Sequence, residues 1–328
     1  MDPQRRNALL AIKLAALVRD HTQAGDQASN EEQVRGVLSG AAALTTGKAA
    51  WVLLDDRAER GLGSALAWAV RAERSVVNIL TESAAGTLAR RARFFEPVPT
   101  VWAVNERELV AAVPADREVV PDVDGRVVHF ADLIEAGGAV PVIERGVLVG
   151  EVGGLEVCRA VVDSATGNPR LEVGVGAHDR EAFLMMHGDN PSVEVLAGVV
   201  SYVARYRFSG VDYHPLHHLA AERLIRATLI GEPELVDVAV LEPADPPVTR
   251  VSIKDPVPCV ATGFDSAGEA VVVVCSHGID LDLVPFAADA RAMHGGRLIV
   301  VVPERDLHPV NQMLMSQLHE PGEFRSIL

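Results

Sequence analysis

The sequence predicts an α/β protein in which two Rossmann-like βαβ segments, one near each end, flank a central α+β module. Three observations lead there. At both ends, short Val/Leu/Ile runs alternate with Ala-rich helical stretches. Hydrophobic residues make up 48% of the chain but aromatics only 4%, so the core must be Val, Leu, Ile and Ala, which suits sheets covered by helices. The middle breaks the alternation with paired strand-like runs around Thr166-Gly167-Asn168-Pro169. The boundaries fall at 1–122, 123–232 and 233–328.

The first apolar stretch, 8–18, follows Arg5 and Arg6, is interrupted by Lys13 and is closed by Arg19 and Asp20. Leu10, Leu14 and Leu17 share one helical face, so it reads as an amphipathic helix rather than a signal peptide. A polar stretch, 21–33, reads as a loop running into a short helix. The run 51–54 is a strand ending in Asp55 and Asp56, and Gly61 and Gly63 lead into a helix over 64–71. A strand at 75–80, a helix at 84–94 and a strand at 100–104 follow. Asn105 is placed to cap a helix over 106–113 that Pro114 stops.

In the middle, 127–130 and 147–151 are strand-like, and 155–162 with 170–175 form a hairpin. Helices are expected over 178–186, 192–206 and 215–230, the last ended by Gly231 and Pro233. Residues 232–258 read as a proline-rich connector with one short strand. The C-terminal segment has a strand at 270–275, a loop at 276–284 and a helix at 285–293 with Pro285 in its first turn. A strand at 297–302 and a helix at 309–318 complete it. Both terminal segments run strand, Gly/Asp-containing loop, Ala-rich helix, strand at similar spacing, a pattern compatible with duplication.

The net charge of −15 argues against nucleic acid as the partner, because phosphate neutralisation needs a basic face. Lysine occurs only at Lys13, Lys48 and Lys254, and the densest basic cluster is Arg90, Arg91 and Arg93. No apolar run reaches the ~20 residues of a membrane span, so no membrane partner is expected. Cys158, Cys259 and Cys275 are odd in number and widely spaced, which suggests neither a disulfide framework nor a thiolate zinc site and fits a reducing, cytoplasmic compartment.

Few residues carry a chemical signal. Gly47-Lys48 is followed by Ala49 where a phosphate loop needs Ser or Thr, and it precedes a strand rather than following one. Gly61-Leu62-Gly63 has the right context for a dinucleotide turn, but Leu66 holds the third glycine position and Asp55 and Asp56 would repel phosphate. Ligands of open parallel sheets sit beyond the carboxyl ends of the strands. That rule selects Asp55, Asp56, Ser276, His277, Asp280 and Asp282 as candidate ligand-binding residues, beside Cys275, the last residue of its strand.

A second constellation lies in the middle. Glu156 and Glu172 fall on paired strands, His178, Asp179 and Glu181 open the next helix, and His214, His217 and His218 bracket Pro215, with Asp212 close by. Glu156, Glu172, Asp179, His178 and His214 are the candidate metal ligands of this alternative, a metal-dependent hydrolase with a histidine as base. Two acids on paired strands backed by a helix resemble the layout of PD-(D/E)XK nucleases. That motif requires Glu-x-Lys, whereas Val173 and Gly174 follow Glu172. The leading expectation is therefore a protein that binds a small molecule or a protein partner, with homodimer formation compatible with it and no assignable catalytic site or cofactor.

Overall fold

Leucines at helical spacing, β-branched runs and turn residues divide the chain as follows. The computed structural model describes residues 3–23, 35–38, 40–188, 191–208, 214–249 and 257–327. Helix α1 (Pro3–Gln23) precedes strands β1 (Arg35–Leu38), β2 (Ala41–Thr46) and β3 (Ala49–Leu54). Then come α2 (Leu62–Arg71), β4 (Val76–Thr81), α3 (Ala85–Ala92), β5 (Thr100–Asn105) and β6 (Glu108–Ala111). The middle contains α4 (Phe130–Ala136), β7 (Val140–Glu144), β8 (Val147–Val152), β9 (Leu155–Val162), β10 (Pro169–Val173), α5 (Ala177–His187), α6 (Val193–Ala204), α7 (Pro215–His218) and α8 (Ala221–Gly231). The last third contains β11 (Val240–Ala244), β12 (Cys259–Phe264), β13 (Ala270–Cys275), α9 (Leu283–His294), β14 (Arg297–Pro303), α10 (Pro309–Ser316) and β15 (Glu323–Ile327).

The strands form three sheets, ordered β1-β2-β3-β4-β5-β6, β10-β9-β8-β7 and β11-β12-β13-β14-β15. The chain groups into two compact units. The first comprises Met1–Arg117, Ile279–Ala292 and Leu307–Glu323, and the second Glu118–Gly278, Met293–Asp306 and Phe324–Leu328. No described helix is long and apolar enough to cross a membrane.

In the first unit, α1 lays Leu10, Leu14, Leu17 and Val18 on a sheet face formed by Ala42, Leu44, Trp51, Leu53, Leu80 and Val104. Each such buried side chain contributes roughly 1.5–3 kcal/mol. The alternate residues Val52, Leu54 and Ile79 are buried on the opposite face, as period-two strands require. β3, β4 and β5 are parallel neighbours, joined through α2 and α3. The helix expected over 106–113 is instead the return strand β6, with Asn105 opposite Glu108 across a two-residue turn. Glu106 takes φ 56° there, and Leu109 packs against the α1 cluster, a contact that a helix would have broken.

In the second unit, β7 to β10 form an antiparallel meander backed by α4 and α6. The strand expected at 127–130 is a turn leading into α4. Val127, Phe130 and Ile134 all enter the core, and their spacing of three and four suits one face of a helix. The helix expected over 215–230 is broken into α7 and α8, with Ala220 in the left-handed region at φ 48°. The cause is Arg207, whose guanidinium collects the carbonyls of Leu216 (2.9 Å), His217 (3.0 Å) and Leu219 (2.7 Å), together with Gly153 (2.6 Å).

The hydrophobic face of the third sheet places Leu241, Cys259, Ala261, Val271, Val273, Cys275, Ile299 and Val301 against Ile225 and Leu229 of α8. β11, β12 and β13 are antiparallel, whereas β13 and β14 are parallel. β1, β2, β3 and β4 repeat this sequence of two antiparallel pairings and one parallel pairing.

Candidate functional site

The acids expected at the strand ends are present there, but arginines hold most of them. Asp55, just after β3, accepts Arg6 Nε at 2.8 Å, and Asp56 beside it is exposed. Arg60, in a 3-10 turn over Ala58–Arg60, donates to Asp280 at 2.5 Å. Asp280 in turn accepts the backbone N–H of Asp282 at 3.0 Å, shaping the approach to α9. Asp282 is buried and receives Arg91 Nη1 at 3.0 Å and the Gly63 N–H at 3.4 Å. The α2 N-terminus, where a nucleotide phosphate would be sought, therefore faces the chain's own carboxylate. Gly63 is required by close packing: a Cβ there would lie 1.7 Å from the Leu281 carbonyl oxygen.

Two turns on, in α9, the fully buried Asp289 collects Arg90 Nη2 (3.0 Å), Arg91 Nε (3.2 Å) and Arg117 Nε (3.0 Å). Burial works to raise its carboxyl, but hydrogen bonds and charge from Arg90 and Arg91 prevail and hold it below the ordinary value. Asp282 behaves oppositely. Burial, assisted by the charge of Asp280, pushes it up to about 7 against the pull of Arg91 and Arg60. The structure thus unites Asp280 and Asp282, and adds Arg60, Arg91 and Asp289, which local sequence reading did not connect to them.

In the second unit, Ser276 is buried and its N–H donates to Val301 O at 3.0 Å, while His277 Nε2 lies 3.0 Å from Arg305 Nη2. Glu156 and Glu172 share a face because a bulge sets Gly150 opposite Cys158 but Glu151 opposite Glu156. Glu156 accepts Arg159 (2.8 Å) and Arg180 (3.0 Å), and Glu172 accepts Arg170 (2.8 Å) with Arg180 at 3.5 Å. Three guanidiniums around two carboxylates oppose a bound cation. His178 and Asp179 lie in the first turn of α5. His214 caps α7 through Nδ1, 3.3 Å from the Leu216 N–H, and stacks on Tyr206 with ring centroids 3.6 Å apart. Asp212 lies outside the described residues. Among the described residues, no three His, Cys, Asp or Glu side chains form a group that could hold a metal ion.

A cleft of about 300 Å³ lies on the third sheet. Val240, Glu242, Thr262, Gly263, Phe264, Ala270 and Val271 line it from β11, β12 and β13, with His294 and Gly295 at its rim. Phe264 is 53% exposed and Val240 47%, the two facing each other across the β11–β12 pairing. Gly263 is required by the close approach of β11, since a Cβ there would lie 1.8 Å from Val240 O. His294 Nε2 is held 2.7 Å from Asp245 O. Ala270 begins β13 and Gly295 precedes β14, so the cleft lies at the amino ends of the parallel pair, opposite to Ser276 and His277. Comparison of the chain with protein-family models, curated proteins and solved structures finds no match.

Proposed function

We propose that the protein is a cytoplasmic binding protein that holds a small molecule in the cleft of the third sheet. The observation that carries this reading is a half-exposed aromatic, Phe264, set beside Val240 in a concave site that also offers Glu242, Thr262 and His294. Apolar walls with a few convergent polar groups are the usual make-up of small-molecule sites. The ligand class it suits is a compact molecule with a flat apolar body, to lie on Phe264, and an amine or hydroxyl to meet Glu242. The architecture beneath the cleft is proposed to be a duplicated Rossmann-like segment. Support comes from the repeated pairing pattern of the first and third sheets, and from Glu96-Pro97 and Glu320-Pro321 following α3 and α10 in turn.

A thermal-melting screen of the purified chain against small metabolites tests the reading. A true ligand at a hundredfold excess over its dissociation constant stabilises by about 2.7 kcal/mol. Phe264→Ala and Glu242→Ala are expected to abolish that shift while Asp56→Ala, in the first unit, preserves it. A shift that survives both cleft substitutions would refute the placement. A flat screen accompanied by concentration-dependent dimerisation would replace the small molecule by a second copy of the chain.

A further inference from the structure

We propose that Cys259 and Cys275 are a redox pair that closes reversibly into a cross-strand disulfide. Cys259 opens β12, Cys275 ends β13, and the antiparallel register sets them directly opposite one another. Opposed residues of an antiparallel pair have Cα atoms about 4.5–5.5 Å apart, inside the 4.4–6.8 Å span of disulfides. Both side chains enter the cluster under α8, so they lie on the same face of the sheet. Cys259 Sγ donates to Glu222 O at 3.1 Å, which fixes its thiol beneath α8 on the face it shares with Cys275. Cys158 belongs to a separate core cluster in the meander and is not part of the pair.

Both thiols are buried, so reaction with an oxidant proceeds through a local opening of this end of the sheet. Burial, with the neighbouring Cys259, pushes the Cys275 thiol well up, so at rest it stays protonated. The Arg226 guanidinium on α8 acts in the opposite direction and supplies the nearby positive charge a thiolate needs. With a hydroperoxide as oxidant, one thiolate attacks the O–O bond, giving a sulfenic acid and releasing one water or alcohol. The second thiol displaces water from that sulfur, so the pair loses two electrons and two protons and the peroxide gains them. Closure staples β12 to β13 across the 265–269 turn. An exchange partner such as a small dithiol reverses it.

The experiment is oxidation of the full chain with hydrogen peroxide or diamide, then unfolding, alkylation and peptide mass mapping. The expected result is a fall from three alkylatable thiols per chain to one, with Cys259 and Cys275 in a single cross-linked peptide that dithiothreitol separates. The oxidised protein should also melt at a higher temperature, a rise absent from Cys275→Ser. Should Cys275→Ser fail to fold, the wild-type map and stoichiometric binding of phenylarsine oxide, a reagent that bridges paired thiols, decide alone. Three free thiols after exhaustive oxidation and no arsenical binding would overturn the pairing, as would a cross-link through Cys158.

Discussion

The two units solve the same problem, a buried guanidinium, in different ways. In the second, Arg223 and Arg226 share two carboxylates: each bonds both Glu144 and Glu151, so charge and donors are nearly balanced. In the first, three arginines converge on Asp289, and Asp282, which shares Arg91, is only partly stabilised as an anion. Burying an ion pair costs desolvation that good geometry only offsets. A balanced pair of pairs therefore reads as architecture, whereas an aspartate poised near neutrality beside surplus arginine makes stability sensitive to pH.

That contrast can be broken most severely at its centre. Asp289→Ala leaves three arginines facing a buried site without their acceptor and should cost about 3–5 kcal/mol in denaturant unfolding. A loss no greater than that of a surface substitution would remove the first cluster from the account. Next comes pH. The Asp282 carboxyl is raised, so its contribution is full below about 3.8 and is lost as pH rises towards about 7. Asp282→Asn, neutral throughout, should gain on wild type by a few kcal/mol across that window, on the order of what the shift implies. Asp289 is lowered, so its contribution runs the other way, disappearing as pH falls through and below the ordinary carboxylate range. The differences in stability between wild type and Asp282→Asn or Asp289→Asn, followed from about pH 2 to 8, should change in opposite directions, and a parallel change would contradict the opposite signs.

A smaller effect sharpens the other side of the comparison. Glu151→Ala leaves Glu144 to hold both arginines, so the loss should be roughly 2–3 kcal/mol. A loss equal to that of Asp289→Ala would mean that sharing offers no protection. Arg126→Ala removes an exposed pair with Asp124 and should leave the melting temperature unchanged, since such pairs are screened by solvent.

Where the pattern was regular, the fold was legible: β13 and the strand–helix alternation of both ends follow from apolar runs and glycines. The misread pieces were those decided by contacts with a neighbouring segment rather than by their own periodicity. β6 needed its hairpin mate β5, and the break between α7 and α8 needed Arg207. β12, unrecognised inside or beside a proline-rich stretch, concealed both the floor of the cleft and the second cysteine. Once the 265–269 turn is seen as a hairpin, Cys259 and Cys275 are mirror positions about it, a signal the sequence did contain. The strand-end acids were identifiable, but the arginines of Asp280 and Asp282 lie 220 and 191 positions away, so no local window joins them.

The first unit is assembled from three separated stretches of chain, and this bears on synthesis at the ribosome. Its opening 117 residues leave the exit tunnel before the α9 segment that begins at Ile279 has been made. At ordinary elongation rates that interval lasts roughly ten to thirty seconds. Throughout it, Arg90 and Arg91 lack Asp282 and Asp289, and the Gly63 turn lacks the backbone that packs on it. All six strands of the nascent sheet are made before these partners exist, so the docking of α9 on them is deferred until residues 279–292 have been added.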